Sequence, residues 1–152
     1  MPGLEDAIVS TSLDSNVVRV IIAGALGLFL GLEREWSHKS AGIRTFTLVS
    51  LLGAVFTIVD RDVLLFLGDL LVIVQGVLLA LQGLLTDESE GLSLTTSVSM
   101  LVTFGVGVLV AEGYVIVGVT VAVLSSLLLV LKRELHSFAW GLSREELRSA
   151  GE

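Results

Sequence analysis

The side chains whose chemistry reaches beyond packing are few. Glu33, Arg34 and Glu35 stand together in "GLEREWSHKSAGIRT" at 31–45, Asp69 lies inside a long apolar run, and Glu112 sits in "AEG". Carboxylates of this kind can ligate a hard cation through oxygen, pair with arginine, or move protons. Proton transfer in an enzyme needs a nucleophile or a second titratable group within reach, and no nucleophile–base pattern, catalytic triad or Gly-rich phosphate loop is visible. The chain has no cysteine, which excludes thiol chemistry and Cys-based metal sites. His38 and His136 are far apart and lack ligand spacing, so no zinc site is expected. The reading is non-enzymatic, with no cofactor.

These residues are held by a very apolar chain. Of 152 residues 53% are hydrophobic, and the mean hydropathy is +0.91, above the roughly 45–50% apolar usage of soluble domains. Apolar runs cover about 17–32, 45–59, 63–85, 94–111 and 114–131. They are too long for strands, and an open sheet cannot satisfy its edges in lipid. A soluble bundle would need amphipathic helices to meet water, and these runs have almost no polar face. The expected fold is therefore all-α, a polytopic transmembrane bundle of about five spans. The second run is short for a membrane that needs roughly 20 residues per helix.

Lys and Arg set the orientation. None precedes the first span except Arg19 at its start; three fall in 33–44, one at Arg61, none in 86–93 and four after 131. Basic loops stay inside, so the N-terminus is expected outside and the C-terminus in the cytoplasm. The domain reading is an acidic external segment over 1–16, a membrane domain over 17–131 and a cytoplasmic juxtamembrane tail over 132–152. In that tail Ser143 reads as the N-cap of a short turn, with Glu146 three residues on. The net charge of −7 suits no nucleic acid. The partners expected are the bilayer and other membrane proteins, with room for self-association.

Within this frame the 31–45 stretch is a cytoplasmic link, and its plainest use is as a topology signal. Two features go further. Glu33 lies at a helix C-terminus, where the dipole disfavours an anion, and it follows the small-residue path Ala23, Gly27, Gly31, which lets helices approach closely. Glu33, Arg34, Arg44 and Thr45 are therefore expected to form a buried charge cluster at the mouth of the first two helices. Glu35, about 200° round the helix from Glu33, is expected to matter little.

The residues "GLFLGLEREWSHKSAGIRTFTLVSLLGAV" resemble the signature of the MgtC/SapB membrane family, in which a Gly-rich first helix ends in G-x-E-R and A-G-x-R-T opens the second. "GLSLTTSVSMLVTFGVGVLVAEG" at 91–113 is similar to the family's G-L-T-T helix. The third span departs from the family's Gly- and Ala-rich pattern, and residues 132–152 do not resemble the soluble C-terminal domain of some members, so the resemblance is to the membrane module. The resemblance implies the membrane module, a place in the cytoplasmic (inner) membrane and a role in magnesium or ion homeostasis through contacts with other membrane proteins, with Mg²⁺ only as an ion that is sensed or carried.

The third span carries Asp69, Gln75 and Gln82. Asp69 shares a face with Gly76, Ala80 and Gly83, and the two glutamines share a neighbouring one. Polar groups inside a membrane turn toward the bundle or a cavity, so this side is expected to pack inward. There it would either hydrogen-bond to Thr95, Thr96, Ser97 or Thr103 of the fourth span, the commoner case, or line an ion path. The latter is the alternative function, a small divalent-cation transporter or channel subunit with Asp69, Glu33 and Glu112 as oxygen ligands.

Overall fold

A computed structural model of the chain describes Gly3 and residues 15–36, 41–86 and 90–149. The acidic N-terminal residues before 15, His38 and Lys39, and the centre of the 86–93 loop lie outside the described residues. The chain forms the expected all-helical membrane bundle, with no strand among the described residues. Five helices follow one another: α1 (Ser15–Trp36), α2 (Ile43–Ile58), α3 (Asp62–Leu85), α4 (Glu90–Ala111) and α5 (Val115–Ser149). Three are long and apolar enough to cross a membrane: α1, α3 and the Leu94–Ala111 part of α4. Ile43–Ile58 and Val115–Leu131 are shorter apolar helices. The 16 residues of α2 rise only about 24 Å against about 30 Å of hydrocarbon.

α4 is the axis of the fold. It touches each of the other four helices; α1 lies between α2 and α5, and α2 lies between α1 and α3. Among the described residues α3 and α5 do not meet, so the ring around α4 is open on that side. The core sits between α2 and α4, where Phe46, Met100, Phe104 and Val106 are at most 2% exposed. Large Leu, Ile, Val and Phe side chains point outward on every helix, as a lipid-facing surface requires.

Small residues set how close the helices come. At Gly107 and Gly53 an added Cβ would overlap the carbonyl oxygens of Ser50 and Phe104, so α2 and α4 run at backbone contact. Gly27 and Gly31 do the same for α1 against α2. A Cβ at Gly31 would lie 2.6 Å from Ile43 Cα, and one at Gly27 2.7 Å from Ser50 Cβ. Hydroxyls then join helices through backbone carbonyls. Ser50 Oγ donates to Ala23 O at 2.7 Å, and Ser97 Oγ donates to Gly76 O at 2.7 Å.

The links at the α2–α3 and α4–α5 end are tight. Asp60 adopts φ 54° in the α2–α3 turn, a left-handed conformation that Asp tolerates better than most residues. α4 ends in a Schellman motif: Tyr114 N donates to Leu109 O at 2.9 Å, Gly113 N donates to Val110 O at 3.1 Å, and Gly113 has φ +93°.

One expectation is overturned in the tail. α5 runs unbroken for 35 residues to Ser149, so Ser143 is interior to a helix and caps no separate turn. No proline interrupts 132–149, and its Lys, Arg, Glu, Leu and Ala residues favour continued helix over the single Gly141. At about 52 Å the helix is longer than a bilayer core is thick, and its last turns continue beyond the apolar segment.

Candidate functional site

Among the described residues Arg34 is the charged side chain that the fold takes inside. It lies in the last turn of α1, directly after the Gly27–Gly31 path that brings α1 against α2, and it is 2% exposed. Its Nη2 donates to Thr96 Oγ1 of α4 at 2.5 Å, across 62 residues of sequence. Its Cζ stands 6.0 Å from the centroid of the Phe46 ring of α2, within cation–π range. Glu33 beside it is partly buried and contributes a favourable charge interaction to the guanidinium. Arg34 Nε is buried without an acceptor among the described residues. One guanidinium thus ties three helices together at one end of the bundle.

Glu33 and Arg34 are brought together, but Arg44 does not join them: it is exposed on the first turn of α2. Phe46 faces the core, and Arg44, two residues earlier, projects about 160° away from it. Thr45 is half-buried. The reading of Glu35 is also revised. Gly42 is the N-cap of α2 and has no side chain to cap with; Glu35 Oε2 accepts from Ile43 N at 3.3 Å instead. A carboxylate there satisfies one of the orphan amides of the helix start and suits its positive dipole end.

The polar residues of α3 lie where the inward reading did not put them. Asp69, Gln75 and Gln82 are all exposed, while Gly68, Val72 and Gly76 are buried. The reason is the approach distance. A Cβ at Gly76 would lie 2.9 Å from Ser97 Cβ, and one at Gly68 2.8 Å from the Phe56 ring, so the glycines face the bundle. Asp69 and Gln75 each sit one residue, about 100°, from a buried glycine. The hydroxyl of α4 that reaches α3 bonds the Gly76 carbonyl, not Asp69 or either glutamine. Glu112 is exposed in the α4–α5 turn. Among the described residues no group of three or more His, Asp or Glu comes together to hold a metal ion.

Thr96 is buried against Arg34, whereas Thr95 is half-buried and lines an apolar groove of about 400 Å³ between α4 and α5 with Leu94, Val98 and Leu128. Arg19 counts in the sequence only toward topology, and its bonding role was missed. Its Nη1 donates to Ala111 O at 2.8 Å, so a cation closes the C-terminus of α4, where the dipole favours it. The available signal was level: Arg19 begins the first span, and the fourth span ends on the same side of the bilayer.

The fold and this site define a class: a compact helical membrane bundle organised round a buried arginine. The chain belongs to the MgtC family, whose model matches residues 20–138. An uncharacterised protein of a Synechocystis strain is 43% identical over 47 residues, which is 31% of this chain and 20% of that protein. The alignment thus spans about a fifth of the relative. No solved structure matches.

Proposed function

We propose that this MgtC-family protein is a non-enzymatic, multi-pass component of the cytoplasmic membrane that serves magnesium or ion homeostasis by contacting other membrane proteins. In this reading the N-terminus is outside, the Arg34 end of the bundle faces the cytoplasm, and the bilayer surrounds all five helices. The observation that carries it is how the interior polar groups are used. Arg34 with Thr96, Ser50 with Ala23 and Ser97 with Gly76 are all committed to bonds between helices, and α2 meets α4 at glycine. Asp69 of α3 is turned outward, onto a surface a partner would touch. Interior groups bonded from helix to helix, with Asp69 on the outer surface, support an adaptor better than a permeation path.

The test has two arms. Purified protein in liposomes is expected to give no Mg²⁺ uptake above protein-free vesicles, and the protein solubilised from native membranes is expected to retain a membrane partner. Uptake that rises with protein and is lost in Asp69→Asn would overturn the reading in favour of a small divalent-cation transporter.

A further inference from the structure

α3 is the least enclosed of the three long membrane helices: 17% of its apolar window is buried, against 22% for α1 and 50% for α4. Along it Leu71, Gln75, Leu78, Gln82 and Leu85 recur at spacings of four, three, four and three. All five are exposed. That is the heptad spacing of a helix seam, with leucine at one repeating position and glutamine at the other. Gln75 lies about 20 Å along the helix from Asp62, at mid-membrane depth, where an amide without a partner is costly.

We infer that α3 is a self-association seam, along which Leu71, Gln75, Leu78, Gln82 and Leu85 pack against the same residues of a second copy of this chain. The chemistry chooses the occupant. Two copies inserted with the same orientation are related by a two-fold axis along the membrane normal, so each seam residue meets its own counterpart at the same depth. A primary amide carries both donor and acceptor and bonds to another amide of its kind. Polar residues at repeating seam positions also fix the register of a parallel pair. Asp69 could not serve there, because its counterpart would place carboxylate against carboxylate, and it lies about 120° round the helix from Gln75, off the seam. The inference stands on the membrane fold and not on the adaptor role, so either can fail alone.

The chain has no cysteine, which makes cross-linking free of background. Leu71→Cys and Leu78→Cys are placed on the seam. Ile73→Cys, Val77→Cys and Leu84→Cys are placed on the opposite exposed face of the same helix, where the native side chains are 48%, 52% and 55% exposed. Oxidation in native membranes is expected to give disulfide dimers several-fold more readily from the seam variants. Energy transfer between labelled copies in liposomes is expected to show association weakened roughly tenfold in Gln75→Leu/Gln82→Leu, with Gln75→Asn retaining most of it. Absence of seam dimers, dimers from the opposite face instead, or seam cysteines that cross-link only to a different protein would each overturn the inference.

Discussion

Arg34 Nη2 and Thr96 Oγ1 meet at 2.5 Å inside the bundle, joining the end of the first helix to the beginning of the fourth. Removing one partner leaves the other buried and unpaired, whereas removing both leaves an apolar contact. Thr96→Val is expected to lower stability by about 1–3 kcal/mol, with Arg34→Met/Thr96→Val costing less than the sum of the two single changes. Thermal unfolding in detergent of the four proteins checks this; additive losses would mean that the pair is not coupled.

Glu35 holds the first amide of α2. Glu35→Ala is expected to cost up to about 1 kcal/mol and to speed hydrogen exchange at Ile43. Glu35→Gln, which keeps an acceptor oxygen, should lose less. Arg44→Ala changes an exposed side chain and is expected to leave both readouts unmoved.

Gly107 and Gly105 lie two residues apart on α4 and differ in surroundings. A Cβ at Gly107 overlaps the Ser50 carbonyl, while one at Gly105 meets nothing within 4 Å. Gly107→Ala forces backbone against backbone and is expected to cost about 1–3 kcal/mol or more. Gly105→Ala should fold as well as the parent, or slightly better for its helix propensity. Folded yield by size exclusion and the melting temperature report the contrast.

At the opposite end of the bundle from Arg34, Gly113→Ala places a side chain at φ +93°, with an expected cost of about 1–2 kcal/mol. Arg19→Met removes the donor to Ala111 O while keeping much of the stem. It is expected to accelerate amide exchange in the last turn of α4 and to leave the Arg34 end protected.

Orientation follows from Lys and Arg alone and is checked by reporter fusions. A fusion after Val59 is expected outside, and fusions after Leu85 and after Leu131 are expected in the cytoplasm. An outside signal after Leu131 would remove the five-span arrangement.

The helices as far as residue 131, their lipid-facing character and the close approach along Gly27 and Gly31 were legible in the chain, because each is a local property: run length, composition and four-residue spacing act within one helix. The charge-rich stretch at 31–45 could likewise be picked out, since so few charges interrupt so apolar a sequence. That Arg34 faces a helix contact followed from the Gly27–Gly31 path, but its partners and the fate of its neighbours were not legible. Arg34 and Arg44 carry the same group, and only the crossing of α1 over α2, set by glycines, places Arg34 against Thr96 and Phe46, leaves Arg44 outside and brings Glu35 over the start of α2. The same holds for α3. Periodicity groups Asp69 with Gly76 and Ala80, but a helix face spans more than 100°, and the close approach of Ser97 and Phe104 at the glycines decides which part of it is buried. Tertiary contact selects among faces that the one-dimensional pattern leaves equivalent, because approach distance depends on two helices at once.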